Sequence, residues 1–349
     1  MFNITELLKN EISVWERLKN CGKPVVLYGM GDGADKVLAA FDRYGIKASA
    51  VIASDDFVRG QKFHDFTVKK LSDVEAEFGN IIIALCFASQ LPDVMEHITK
   101  ISEKHETLVP SVPVFGNKLF DNDFITENKE QIESAYSLLA DDLSKKVYEN
   151  ILKFYYTGRI DLLPPVTTGK DEAFSNILNL SENESYVDLG AYNGDTIDEF
   201  LHYTNGSYKR IIAFEPNAKN FEKLKLHCKG MANVSLWQNT ELIFNNKAGR
   251  NSAIADKGVA TKVATVDTIL CGMAAGYIKA DVEGADMETL IGMQKTMENC
   301  KPKLNFSAYH RFEDIFRLAL YIHSVNPDYK IFLRHHPYIP AWDTNLYCI

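Results

Sequence analysis

Apolar and polar positions along the chain follow two periods, and the places where the period changes divide it into elements. Ile4, Leu7, Leu8, Ile12, Trp15 and Leu18 recur at helical spacing, which predicts one leading helix over residues 1–20 docked on the body of the protein. A strand-like run at 24–28 leads through Gly29-Met30-Gly31-Asp32-Gly33-Ala34 into a helical stretch ending at Tyr44, and further strand-like runs cover 48–53 and 81–86. Strands alternating with helices predict a small parallel sheet. From 128 to 156, Ile132, Ala135, Leu138, Leu139, Leu143, Val147, Ile151, Leu152 and Tyr155 return at helical intervals, a connector that Pro164-Pro165 cannot continue. A short helical segment is expected at 172–178.

Strands are then predicted at 185–189, 210–214, 233–238, 276–281, 303–309, 329–334 and 344–349. Seven strands with a short Pro-containing link between the last two predict a mainly parallel, doubly wound sheet that ends in an antiparallel hairpin. The expected organisation is α/β: a Rossmann-like domain with its leading helix over 1–120, a helical connector over 121–170, and the larger Rossmann-like sheet over 171–349.

Composition narrows the class. A chain of 349 residues with 46% apolar and 24% charged positions is globular and long enough for about two cores. Its 47 acidic against 38 basic residues give a net charge of −9 with no basic stripe, which argues against a nucleic-acid partner. No apolar run approaches the roughly 20 residues of a membrane span, so a cytoplasmic protein is expected. Cysteines 21, 86, 228, 271, 300 and 348 form neither C-x-x-C nor a Cys/His pattern, and the expectation is reduced, mostly buried thiols without disulfides or zinc.

Ligands of open α/β sheets lie beyond the carboxyl ends of the strands, so the residues just after each strand are the candidates. After the first strand of the larger sheet comes Asp188-Leu189-Gly190-Ala191-Tyr192-Asn193-Gly194-Asp195-Thr196. Gly190 and Gly194 let the backbone approach a ligand, Asp195 and Thr196 stand at a helix start with free amides, and Asp188 is placed to meet an ammonium group or to orient the loop. A zwitterionic amino-acid tail would suit both ends. Glu215, followed by Pro216, lies 21 residues beyond Gly194, the place of an acid that takes ribose hydroxyls. Gln238 and Asn239 offer amides to the edge of adenine. The fourth strand ends in Lys279-Ala280-Asp281-Val282-Glu283-Gly284-Ala285, which puts Asp281 and Glu283 at the mouth of the same site.

Taken with Phe214-Glu215-Pro216, Ala308-Tyr309-His310-Arg311 and Leu333-Arg334-His335-His336, these motifs resemble the FkbM family of methyltransferases over roughly residues 140–349. The resemblance implies a class I methyltransferase fold, S-adenosylmethionine as donor, O-methylation of sugars or other hydroxylated compounds such as polysaccharides, and roles for Asp188, Gly190, Glu215 and Asp281 in the cofactor site or active site. Tyr192 stands where other methyltransferases often carry a glycine. His310 and Asp281, at adjacent strand ends, are the candidates for removing the hydroxyl proton, with His310 preferred as base and His335 and His336 as lesser alternatives. Glu283 and Asp286 have the spacing of a metal pair, but such carboxylates at a helix start are read as caps, and no metal is expected.

The loop at 29–34 has the strand-to-helix context of a dinucleotide fingerprint, with Asp55 near the end of the next strand. No Tyr-x-x-x-Lys pattern accompanies it. A nucleotide-linked sugar is one candidate ligand there. A nicotinamide oxidoreductase built on this loop, and a silent nucleotide-binding scaffold, are the alternatives to a methyltransferase.

Overall fold

Polar residues at 3 and 13 split the leading helical pattern in two. The computed structural model, which describes residues 2–238 and 265–349, has helices α1 (Ile4–Leu8) and α2 (Val14–Lys19) in place of the single expected helix. The Asn3 and Ser13 side chains accept hydrogen bonds from the amides of Glu6 and Glu16, each starting its own helix. The two helices bury different faces, and Ile12 between them is left 58% exposed. Trp15 of α2 stacks on Tyr44, with ring centroids 5.1 Å apart.

Four strands of one sheet follow, β1 (Val25–Tyr28), β2 (Ala48–Ile52), β3 (Ile82–Leu85) and β4 (Glu106–Leu108), paired in parallel in the order β2-β1-β3-β4. The central pair, β1 and β3, is buried along its whole length, which is why both read as unbroken apolar runs. Helix α3 (Asp32–Tyr44) packs so tightly on this sheet that a Cβ at Gly33 would lie 2.3 Å from the Cys86 carbonyl oxygen. One glycine of the 29–34 loop is therefore accounted for by packing.

The connector is two helices, α4 (Asn122–Leu138) and α5 (Asp142–Thr157), capped by Asp121 and Asp141 at their starts. Between them the chain leaves helical geometry so that the Ala140 amide can donate to the Ile331 carbonyl at 2.8 Å. Beyond Pro164-Pro165 a short helical stretch, Lys170–Ala173 running into Phe174–Leu178, opens the second half.

The seven expected strands form one sheet: β5 (Ser185–Leu189), β6 (Arg210–Phe214), β7 (Val234–Trp237), β8 (Tyr277–Ala280), β9 (Lys303–Ser307), β10 (Ile331–His335) and β11 (Thr344–Cys348). Their order is β10-β11-β9-β8-β5-β6-β7, with β11 antiparallel to both β9 and β10 and the remaining pairs parallel. The chain runs outward from β5 through β6 to β7, then returns to the other side of β5 at β8. That reversal opens a crevice at the carboxyl ends of β5 and β8. Apolar side chains of the two sheets and the connector, Val26, Tyr28, Tyr148, Ile151, Val187 and Ile278 among them, share one buried cluster. No helix among the described residues is long and apolar enough to cross a membrane. Cys86, Cys228 and Cys348 are buried, and Cys271 is exposed.

The Leu333-Arg334-His335-His336 run is an internal fastening. Nδ1 of His335 lies 3.0 Å from Thr344 Oγ1, and the His336 ring bridges the Thr168 carbonyl and the Tyr347 hydroxyl at 2.9 and 2.8 Å. This corrects their reading as alternative bases, because their hydrogen bonds hold β10 to β11 and to the segment before β5. Burial, reinforced by His336, lowers the His335 pKa to about 4. A histidine kept neutral in the fold contributes stability above its unfolded pKa of about 6.5 that is lost as pH falls toward 4, about 3 kcal/mol at most for a shift of this size. Urea unfolding of native protein and His335→Asn between pH 7 and 4.5 is expected to show a shallower pH slope in the variant; parallel slopes would exclude the contribution.

Candidate active site

Register brings the candidate loops to one edge. Leu189 of β5 lies opposite Phe214 of β6 and Ala280 of β8, while Ala280 lies opposite Phe306 of β9. The segments that follow, 190–196, 215–217, 281–285 and 308–311, therefore emerge together.

Asp188 is fully buried and organises the first loop. Thr196 Oγ1 donates to its Oδ2 at 2.5 Å, and Lys279 Nζ lies 3.8 Å from its Oδ1. Burial pushes the Asp188 carboxyl up, against the opposing pull of Lys279. Lys279 also donates to the Gly190 carbonyl at 3.2 Å. Sequence reading passed over this residue, although a lysine inside the buried strand Tyr277–Ala280 was a signal. Gly190 has a φ of +88°, and a Cβ there would sit 2.1 Å from the Asp281 carbonyl oxygen. The close seam between the loops after β5 and β8 accepts only glycine.

Glu215 is 5% exposed and faces the same loop. Its Oε2 accepts from the Tyr192 amide at 2.9 Å and its Oε1 from the Asn217 amide at 2.8 Å. Each carboxylate oxygen retains capacity for one more donor. Ala191 and Gly194 are buried, Tyr192, Asp195 and Pro216 are exposed, and Asn193 accepts from the Asp195 amide at 3.3 Å. Helix α6 (Asp195–Tyr203) begins here, with Gly194 as its cap residue. Gln238 is exposed just beyond β7, beside Trp237, which is 45% exposed. Asn239 lies outside the described residues.

The second half of the site is a line of three side chains. His310 is 1% exposed; its Nε2 lies 3.1 Å from Asp281 Oδ1 and its Nδ1 2.8 Å from Asp286 Oδ2. Burial opposes the imidazolium, yet Asp286 and Asp281 together lift the His310 pKa well above the ordinary range. Asp281 is pulled below the usual carboxylate range because Lys279 and His310 outweigh its own burial. With both nitrogens engaged, His310 stands behind Asp281 and is not free to take a proton from an acceptor. The Asp281 side chain, 35% exposed, is the member that reaches solvent. The reading of Glu283 and Asp286 as a pair of caps also changes. Glu283 is exposed with a φ of +53°, while Asp286, at the first residue of helix α7 (Asp286–Gly292), turns its carboxylate to His310.

A run of aromatic residues starts beside Asp281. Tyr309 Oη lies 3.4 Å from Asp281 Oδ1, the Tyr309 ring stacks on Trp342 at 6.2 Å, and Tyr338 packs on Trp342 at 5.9 Å. The first half of the chain also reaches the site. The Phe115 amide donates to the His310 carbonyl at 3.0 Å, its ring meets the His310 ring edge-on at 5.8 Å, and Ser89 exchanges backbone hydrogen bonds with Ile339 at 2.7 and 3.0 Å. Nothing in the local pattern around Phe115 announces that contact.

Residues 188–336 match the model of the methyltransferase FkbM domain. The chain is similar to the crystal structure of methyltransferase FkbM from Methylobacillus flagellatus KT, with 21% identity, a TM-score of 0.71, and coverage of 100% of this chain and 94% of that one. Weaker similarities include the fibrillarin/Nop5p complex (19% identity, TM-score 0.33, 48% of this chain and 73% of that one) and Aeropyrum pernix fibrillarin with natively bound S-adenosyl-L-methionine (10% identity, TM-score 0.34, 51% and 73%). No curated protein matches the sequence.

Proposed function

From the match of residues 188–336 to the methyltransferase FkbM domain we propose that the protein is an S-adenosylmethionine-dependent O-methyltransferase whose acceptor is a hydroxyl of a sugar, glycan or sugar nucleotide. The observation that carries the donor assignment is Glu215, a buried carboxylate fixed by the Tyr192 and Asn217 amides with acceptor capacity left for two ribose hydroxyls. The fit extends along the loop. Asp188 Oδ1 is buried with no hydrogen-bond partner among the described residues, an acceptor suited to an ammonium group. The start of α6 suits a carboxylate. Gln238 and the exposed Trp237 lie on the adenine side. Bound there, S-adenosylmethionine would supply a methyl group on a positively charged sulfur.

The chain's own residues then align the acceptor and manage its proton. Displacement at a methyl carbon is governed by in-line approach, so holding the hydroxyl oxygen in place carries much of the acceleration. Tyr309, Tyr338 and Trp342 offer apolar faces to the C–H surface of a sugar. Asp281 accepts the hydrogen bond of the acceptor hydroxyl and fixes its oxygen for attack, while His310 holds Oδ1 and keeps the carboxylate ionised; so strongly held a carboxylate is a weak base, and the hydroxyl proton passes on to water as the new C–O bond forms. The net charge of −9 supports a small acceptor over a nucleic acid. The division at about residues 120 and 170 belongs to the same proposal, with the first half contributing the Ser89 and Phe115 walls and the 29–34 loop available to a nucleotide portion of the acceptor.

Thermal unfolding of the full chain with S-adenosylmethionine, S-adenosylhomocysteine or NAD tests the donor. At 100 times its dissociation constant a ligand stabilises by about 2.7 kcal/mol, roughly 4 °C in Tm for a chain of this length. Both adenosyl ligands are expected to give that shift and NAD none; a shift with NAD alone would move the reading to an oxidoreductase.

A further inference from the structure

Behind His310, on the side away from the crevice, three acidic or basic side chains meet in the interior. Asp286, His310 and Asp314 are 1%, 1% and 5% exposed, and one donor atom from each lies within 4.8 Å of the other two. They come from separate places: the start of α7, the loop after β9, and the start of helix α8 (Asp314–Val325). Two further facts mark the spot. Asp286 Oδ1 is buried without a hydrogen-bond partner among the described residues, and so is the hydroxyl of Tyr155 from the connector, whose ionisation is opposed in part by the charge of Asp314. A carboxylate oxygen left without a donor in an apolar interior is costly, so a ligand that supplies positive charge is favoured there.

We propose that Asp286, His310 and Asp314 bind a divalent first-row metal cation, Mn²⁺ or Zn²⁺ in class, at this buried junction. Two carboxylates and an imidazole are a donor set for such ions. Metal–ligand bonds of about 2.1 Å place donor atoms roughly 3–4 Å apart around one ion, and the three donor atoms here all lie within 4.8 Å of one another, so a small inward movement of the side chains would bring them onto a single ion. The competing arrangement is a proton held on Asp314, whose burial beside Asp286 pushes its carboxyl up while Oδ2 accepts the Arg311 amide at 2.8 Å; the two arrangements differ in whether a cation binds. Charge closes as well: one dication against two carboxylates and a neutral imidazole. Coordination through Nδ1 leaves the proton on Nε2, where His310 faces Asp281 Oδ1 at 3.1 Å. Metal-bound histidines use this outward N–H to a carboxylate as their usual support. The ion thereby fixes the tautomer that holds Asp281, and it ties α7, α8 and the loop after β9 together.

The test needs no methyl donor, so its failure is separate from failure of the transferase reading. The full chain, dialysed against EDTA, is titrated with MnCl₂ and with ZnCl₂ by calorimetry and thermal unfolding. One cation per chain and a rise in Tm of about 5 °C at saturation are expected. Asp314→Asn, which imitates a protonated carboxyl, should abolish both. Absence of any metal effect on the native chain, or an equal effect on Asp314→Asn, overturns the proposal. If Asp314→Asn does not fold, Co²⁺ added to the native chain decides: a d–d spectrum with a histidine ligand supports the site, and an unchanged aqua-ion spectrum overturns it.

Discussion

Glu215→Ala is expected to weaken S-adenosylmethionine binding by about 100-fold or more, equivalent to about 2.7 kcal/mol. Two losses combine. The ribose hydroxyls lose a charged acceptor, and hydrogen bonds to charged groups are worth about 1.5–3 kcal/mol. The Tyr192 and Asn217 amides, held at 2.9 and 2.8 Å, lose the group that sets the loop. Glu215→Gln keeps one acceptor oxygen and should fall between native and alanine. Calorimetric titration with S-adenosylhomocysteine measures this directly, without knowledge of the acceptor. An affinity in Glu215→Ala within threefold of native would remove Glu215 from the donor site and with it the main support for the donor assignment. Asp281→Asn is the useful contrast, since its carboxylate faces the acceptor side and donor affinity should change little.

The parts of this site legible in sequence were those whose meaning is fixed by position along a strand. Asp188, Glu215 and Asp281 follow strands at the crevice edge, and in an open parallel sheet that position alone makes a polar residue a candidate. What stayed hidden depended on neighbours distant in sequence. His310 reads as a free base until Asp286, 24 residues earlier, is found on its Nδ1 at 2.8 Å. Asp286 reads as a cap because a carboxylate at a helix start ordinarily is one. Phe115 reaches the His310 backbone across 195 residues, and nothing local encodes that. The leading helix departs from its periodic pattern for the opposite reason. Its apolar spacing was continuous, but Ser13 offered a cap that competes with helix propagation, and the local signal prevailed over the periodic one.

Arg334 carries the largest expected effect on stability. It is 2% exposed on β10, where its NH2 group donates to Asp141 at 2.6 Å and to Glu172 at 2.9 Å and its NH1 donates to Ser144 at 2.8 Å. Asp141 caps connector helix α5, and Glu172 lies in the segment that opens the second half, so one guanidinium fastens three parts of the chain. Its planar fork is what permits two carboxylates to be served at once. Arg334→Met preserves most of the buried stem and leaves both carboxylates unpaired, a change that typically costs about 3–5 kcal/mol when the partners are buried. Here the Asp141 and Glu172 side chains are 35% and 26% exposed, which moves the expectation toward about 3 kcal/mol, or roughly 4 °C in Tm for a chain of this length. A double variant, Arg334→Met with Glu172→Gln, should recover part of the loss because one uncompensated charge is gone. Urea unfolding of Arg334→Met, Glu172→Gln and the double variant measures the coupling, and purely additive losses would mean that the Arg334–Glu172 pair contributes nothing to stability.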